Sequence, residues 1–184
     1  MINPDLSRRA MLMALACLPF SSSATSTTRI DLPDARLRNQ SGRELKLRSE
    51  VLREQVAVVN FVFTNCKSFC SAQSALIADL QQRQARRLGS ELVLASITVD
   101  PLTDDPARLR SFSAPFAPGP HWHWLTGEPT AVFAVLEAFQ AASKQPTDHS
   151  AMLLVGRGTR WVRMLGMPAP ASVEAVIQRL SSGV

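Results

Sequence analysis

Two cysteines separated by three residues, Cys66 and Cys70, are the side chains of this sequence best suited to chemistry. A dithiol of this kind can cycle to a disulfide, or it can act as a soft two-sulfur ligand for Cu(I). The pair follows an apolar run and precedes a predicted helix, so the i, i+4 spacing would place both sulfurs on one side. The helix dipole and the neighbouring Lys67 would favour thiolate over thiol. Metal binding and thiol-disulfide exchange both remain open from these residues.

The first 24 residues are typical of an export signal. Arg8 and Arg9 precede the apolar stretch 10–20, and small residues suited to cleavage end at Ala24. The paired arginines also resemble a twin-arginine signal, and this route and the ordinary secretory route both lead out of the cytoplasm. The apolar stretch is short for a bilayer span, so we expect export without a membrane anchor.

The compartment to which the protein is exported affects the chemistry open to its cysteines. Cys17 lies inside the predicted signal, so the mature chain would keep Cys66 and Cys70 alone. We expect it in the periplasm or on the outer face of the cytoplasmic membrane, where thiols meet oxidising conditions. A disulfide between residues this close in sequence would close no long loop and would add little stability. The pair is therefore predicted to be functional rather than structural.

The composition indicates one compact domain. The chain has 184 residues, 46% of them hydrophobic, and a formal net charge of +5. We expect a signal at 1–24, a polar tether at 25–31 and a single monomeric domain at 32–184. Tyrosine is absent and no aromatic residues interleave with the basic ones, so the sequence gives no support for nucleic-acid binding.

The elements that must position the cysteines follow from hydrophobic patterning. Continuous apolar runs at 56–63 and 92–99 predict strands buried on both faces of a sheet. Apolar residues at helical spacing and helix start signals predict the remaining order of strands and helices. We predict a short strand, a turn and a second short strand within 32–47, a strand at 122–125, a hairpin at 151–155 and 161–165, and helices at 71–88, 105–116, 130–142 and 172–180. This order predicts an α/β fold with a central sheet and helices on both faces, and it places Cys66 at the carboxyl end of a strand.

Four segments in order give the chain a resemblance to a known family. They are Val59 to Cys70, Ile97 to Pro106, Leu125-Thr126-Gly127 and Asp148-His149-Ser150. Together they resemble the SCO/SenC copper-binding proteins, which help assemble the copper centre of cytochrome c oxidase. The resemblance runs from about residue 32 to residue 180. The family usually has proline after the second cysteine, where this chain has Ser71, and its members are commonly membrane-anchored.

The resemblance implies a fold, a ligand set and a function. The fold would be thioredoxin-like, and one copper ion, as Cu(I) or Cu(II), would bind to Cys66, Cys70 and His149. The chain would then be a metallochaperone rather than an enzyme. Its partners would be a copper-receiving oxidase subunit or another cuproprotein, and a thiol reductant. The alternative is a thiol-disulfide oxidoreductase that reduces a partner's cysteines with Cys66 and Cys70 and uses no metal.

For several other polar side chains the sequence leaves two possible roles. Asp104 is interpreted as a helix cap, with a weak axial contact to Cu(II) as the second possibility. Asp148 could orient the ring of His149 or lie in an exposed turn. His121 and His123 would share one face of a strand, where they could bind a separate metal or form an edge whose neighbouring tryptophans pack on the opposite face.

Overall fold

A computed structural model of the chain describes residues 27–66 and 68–183. The predicted export signal and Lys67 lie outside these residues. The described strands form one eight-stranded sheet in the order β1-β8-β7-β4-β5-β6-β2-β3. Their bounds are β1 Thr27–Arg29, β2 Arg36–Asn39, β3 Glu44–Lys46, β4 Val56–Val62, β5 Leu92–Thr98, β6 Trp122–Thr126, β7 Met152–Arg157 and β8 Arg160–Leu165.

The centre of the sheet is made by the apolar runs that the sequence singles out. Every residue of β4 and β5 is buried, and these strands pair in parallel, as do β5 and β6. Strand β7 pairs antiparallel to β4, so the sheet is mixed. Strands that are buried on both faces need continuous rather than alternating hydrophobicity, which is what these segments show.

Four helices cover the sheet in the described part of the chain. They are α1 Cys70–Arg83, α2 Pro106–Ser113, α3 Pro129–Ala138 and α4 Pro170–Ser181. Helices α1 and α4 contact each other and β4, whereas α2 contacts β6 and α3 contacts β2. A π-helical segment, Leu47–Leu52, leads into β4. No helix among the described residues has the length and apolarity to cross a membrane.

Several predicted boundaries were wrong. Residues 27–29 of the predicted tether form the edge strand β1, which pairs with β8 although all three side chains are exposed. By contrast, the strand, turn and strand predicted within 32–47 are confirmed as the antiparallel pair β2 and β3. Helix α1 ends at Arg83 rather than at residue 88, and residues 84–87 form turns instead of a further helical turn. Element ends depend on tertiary contacts more than on local pattern.

Candidate metal centre

Strand topology brings the cysteines and His149 together from distant parts of the sequence. Strand β4 ends just before the loop that carries Cys66, and β7 begins three residues after His149. Because β7 is antiparallel to β4, with Asn60 opposite Leu153, the start of β7 lies beside the end of β4. The segments at 63–70 and 146–151 therefore meet at one edge of the sheet.

The two cysteines have different surroundings. Cys66 lies in the loop after β4, where its backbone N–H donates to the carbonyl of Phe63 at 3.1 Å, and it is partly exposed. Its Sγ is 3.4 Å from Oγ of Ser68. Cys70 is the first residue of α1 and is fully buried. Both are free thiols.

This difference separates the acidities of the thiols. Burial tends to raise the pKa of Cys66, but hydrogen bonds from Cys70 and Ser68 outweigh it, and the pKa lies below its ordinary value. Burial dominates at Cys70 and, together with its hydrogen bond to Cys66, raises the pKa far above the ordinary thiol range. The lowered pKa of Cys66 agrees with the expectation that this site favours the thiolate, whereas the expectation was wrong for Cys70, because the helix start is shielded from water.

His149 lies in an aromatic clamp that faces Cys70. Its ring stacks on Phe69 with centroids 4.9 Å apart, and it meets Phe63 edge-on at 5.5 Å. Nε2 of His149 lies 3.9 Å from Sγ of Cys70. The histidine is only 6% exposed, and burial lowers the pKa of its imidazole. The neutral ring can therefore offer a nitrogen lone pair to a metal.

The other ring nitrogen of His149 has no partner among the described residues. Nδ1 of His149 is buried and forms no hydrogen bond within the described structure. Asp148 is exposed, and its carboxylate accepts a hydrogen bond from Oγ1 of Thr147 at 3.3 Å. Of the two interpretations of Asp148, the structure supports the exposed turn residue. The aromatic rings, rather than a carboxylate, hold the histidine in place.

Asp104 anchors the cysteine loop rather than capping a helix. Its carboxylate accepts hydrogen bonds from Oγ1 of Thr64 and Oγ1 of Thr98, both at 2.6 Å, and from the N–H of Thr64. The prediction of a cap at Asp104 was wrong, because the neighbouring Asp105 caps α2 by accepting from the N–H of Arg108 at 2.7 Å. Asp104 thus ties the start of the Cys66 loop to the end of β5.

The remaining histidines lie elsewhere. His121 and His123 are at the amino end of β6, whereas Cys66 follows the carboxyl end of the parallel β4. Trp122 and Trp124 are buried as predicted, but the predicted edge was wrong, because β6 lies inside the sheet between β5 and β2. His121 and His123 therefore do not contribute to the cysteine site.

The three predicted ligands are neighbours but not a finished coordination sphere. Among residues 27–66 and 68–183, no three histidine, cysteine or acidic side chains are already arranged to hold a metal. Cys70 and His149 face each other, and Cys66 turns toward Ser68. Sequence reasoning gave no role to Phe63 and Phe69, which position the histidine. The position of Phe69 in the sequence between the two cysteines was the one sign that it could belong to the site.

The fold and the site define a thioredoxin-like protein with paired thiols beside a buried histidine. The SCO1/SenC family model matches residues 32–183, and the chain belongs to this family. A curated relative, the SCO1 protein homolog of Bacillus subtilis, is 32% identical over 119 residues. That match covers 62% of this chain and 60% of the relative, so it spans less than two thirds of the relative's length.

Solved structures share the fold. BsSco, a member of the Sco family of cytochrome c oxidase assembly proteins with a disulfide switch, has a TM-score of 0.72 at 23% identity over 86% of this chain and 97% of its own. Bradyrhizobium japonicum ScoI with copper bound has a TM-score of 0.65 at 22% identity, covering 79% and 96%. Yeast Sco1 with copper bound has a TM-score of 0.66 at 20% identity, covering 84% of this chain and 97% of its own. The predicted thioredoxin-like α/β fold is confirmed.

Proposed function

We propose that this chain binds one copper ion through Cys66, Cys70 and His149 and passes it to the copper-receiving subunit of a respiratory oxidase or to another cuproprotein. The observation that carries the proposal is the 3.9 Å approach of His149 Nε2 to Cys70 Sγ in a buried position. A neutral imidazole held against a thiol has no evident task in simple packing. Family membership supports the proposal, since Sco proteins of this fold have been crystallised with copper bound.

The donor set suits copper. Two sulfurs are soft ligands that select Cu(I), and an imidazole nitrogen suits both oxidation states. Two thiolates and one imidazole would hold Cu(I) in a three-coordinate site. The same set would leave a further position open for Cu(II). The absence of proline at Ser71 does not prevent α1 from beginning at Cys70.

Copper loading requires two local changes. The Cys66 side chain, which contacts Ser68 and lies beside Cys70, must shift so that its sulfur, Cys70 and His149 can all reach one ion. Cys70 must lose a proton, since burial raises the pKa of its thiol and the metal binds the thiolate. Copper binding should therefore release protons.

The exposure of Cys66 offers a route for delivery. Cys70 and His149 are buried, whereas Cys66 is partly open to solvent. A partner's thiolate or imidazole would reach the copper from this side and replace the ligands one at a time. We propose that delivery takes place outside the cytoplasm, as the signal-like start of the sequence suggests, and that a thiol reductant restores the dithiol after any oxidation.

The oxidoreductase alternative would make use of the difference between the two thiols. Cys66 is the more exposed and more acidic thiol, and Cys70 is buried and protonated, as in a nucleophile and its resolving partner. The Cys66 thiolate would attack a partner's disulfide to form a mixed disulfide. Cys70, after losing its proton, would then release the partner as a dithiol and leave a Cys66–Cys70 disulfide. This sequence has no role for His149.

The copper proposal is tested by anaerobic Cu(I) titration against a competing chelator. We expect one tightly bound copper per wild-type chain, loss of that site in Cys66→Ser and Cys70→Ser, and weaker binding in His149→Ala. Met167→Leu is the control, because it removes an exposed soft sulfur elsewhere (Met167 is 48% exposed). Full binding in the Cys66→Ser, Cys70→Ser double variant would overturn the proposal.

A second assay separates the two functions. The copper-free wild type and His149→Ala are compared in the reduction of a peptide disulfide. The oxidoreductase alternative predicts turnover at equal rates for both proteins. The copper proposal predicts no appreciable turnover, together with a copper affinity that depends on His149.

A further inference from the structure

A pocket lies at the opposite end of the sheet from the cysteines. It has a volume of about 290 Å³, near the lower end of the range for small-molecule sites, about 300–1,000 Å³. Its walls come from the amino ends of the parallel strands, with Gln55 before β4, Gly89 before β5 and His121 before β6. The pocket is thus remote from Cys66, which follows the carboxyl end of β4.

Four nitrogen-bearing basic side chains line this pocket: Arg43, Arg53, His121 and His123. Neither guanidinium forms an ion pair with any residue in the described ranges. Glu50 is the one carboxylate among the described lining residues, and it accepts a hydrogen bond from the N–H of Lys46 at 2.7 Å. A single acid cannot balance two permanent guanidinium charges, so the pocket is electropositive.

The basic side chains of the pocket also act on His123, which lies in the pocket wall. Burial lowers the pKa of its imidazole, and the nearby His121, Arg43 and Arg53 lower it further by repulsion. The facing groups are therefore close enough to interact electrostatically. An anion in the pocket would attract each of these basic groups, offset their mutual repulsion and accept hydrogen bonds from them.

Two features hold the lining in place. Arg53 has a φ of +51°, an uncommon backbone conformation for a residue with a side chain, and it ends the π-helical segment Leu47–Leu52. Its Nε donates to the carbonyl of Glu50 at 3.1 Å. The imidazole of His121 lies directly on Gly89, where a Cβ atom would overlap it. Uncommon backbone conformations and π-helical turns are often retained at functional sites.

We propose that this pocket binds a phosphate-type oxyanion through Arg43, Arg53, His121 and His123. The planar guanidinium groups can each donate two hydrogen bonds to such an anion, and the imidazoles can donate one each. The ligand is either free phosphate or the phosphate of a lipid headgroup, which share this chemistry. The proposal concerns a separate site and does not rest on copper binding by the cysteines.

The histidines provide a direct readout. The chain has three histidines, and all of them lie in the described part. Proton NMR of the untagged protein should therefore show three imidazole Hε1 signals, one for each histidine, assigned with single-alanine variants. At constant pH and ionic strength, inorganic phosphate should shift the His121 and His123 signals saturably and leave the His149 signal unmoved. Chloride is the control anion.

Variants test whether the arginines carry the binding. Arg53→Ala should raise the phosphate dissociation constant at least tenfold, and Arg179→Ala, an equal charge change on the exposed face of α4, should not. Arg43→Ala should have the same effect as Arg53→Ala. Because Arg43 is an exposed residue, Arg43→Ala is the variant to measure if Arg53→Ala fails to fold.

A vesicle assay separates the two sources of the ligand. Vesicles of phosphatidylglycerol in phosphatidylcholine are compared with pure phosphatidylcholine in a sedimentation assay, with wild type and Arg43→Ala. If phosphate shifts the histidine signals saturably and the protein does not bind vesicles, the ligand of the pocket is free phosphate. If the protein binds anionic vesicles and this binding depends on Arg43, the ligand is the lipid headgroup. The proposal is overturned if neither probe binds, or if binding is unchanged in both arginine variants.

Discussion

The Sγ atom of Cys70 lies 3.9 Å from Nε2 of His149, although 78 residues separate them in the sequence. The antiparallel pairing of β7 with β4 creates this proximity, and the rings of Phe63 and Phe69 hold the imidazole in its position. The two side chains are buried, so a metal bound between them would be shielded from water. Cys66 is the accessible third member of the site.

The first prediction concerns the reactivity of the two thiols. At neutral pH, iodoacetamide should alkylate Cys66 at least about tenfold faster than Cys70, since one pKa unit changes the thiolate fraction about tenfold and Cys70 is also buried. Peptide mass spectrometry of timed samples measures both rates. In denaturant the two rates should converge. Equal rates in the folded protein would contradict the assigned environments.

The second prediction concerns the aromatic clamp. Phe69→Ala should weaken Cu(I) binding roughly two- to tenfold, because the stacked ring that fixes His149 is lost and an aromatic contact contributes about 0.5–1.5 kcal/mol. Competition titration measures the change. Phe133→Ala, at a partly exposed position on α3, is the matched control and should bind copper as the wild type does. An unchanged affinity in Phe69→Ala would show that the clamp does not position the ligand.

The third prediction concerns the anchoring carboxylate. Asp104→Asn should lower the free energy of unfolding by about 1–3 kcal/mol, since it disturbs a buried acceptor of hydrogen bonds from Thr64 and Thr98. Urea unfolding measures the loss. Asp105→Asn is the matched control, because asparagine also caps helices well and the cap on α2 should persist.

The same carboxylate should give a distinct pH dependence. Burial raises the pKa of Asp104 above the ordinary value of about 3.9, despite the opposing hydrogen bonds from Thr64 and Thr98. Between the unfolded and folded pKa values the folded protein binds more protons, so this group's contribution to stability falls as pH rises through that window. The stability of wild type relative to Asp104→Asn should therefore decrease from about pH 3.9 upward and then level off. A difference that increases over this window would mean that the pKa is lowered instead.

The central strands were predictable because their physical signal is local. Runs of β-branched and aromatic residues with no alternation describe strands covered on both faces, and β4 and β5 are such strands. The position of Cys66 at a strand end followed from the same pattern. The weaker strand β1 carried no such signal, because its side chains are exposed and backbone pairing to β8 alone defines it.

The details of the site depended on contacts that sequence patterns do not encode. Asp104 and Asp105 are adjacent acids before a helix, and either could cap it by local rules. Asp104 is the one that is buried, where its carboxylate accepts a hydrogen bond from Thr64, 40 residues away along the chain. Similarly, the resemblance implied His149 as a ligand, but the ring of Phe69 against it and the high pKa of Cys70 follow from packing around α1.

The most direct test of the central claim is X-ray absorption at the copper edge of the Cu(I)-loaded protein. We expect two sulfur donors and one nitrogen donor in the wild type, with the nitrogen lost and both sulfurs retained in His149→Ala. A sulfur-only shell in the wild type, or a nitrogen donor that persists in His149→Ala, would contradict the assignment of Cys66, Cys70 and His149 as the copper site.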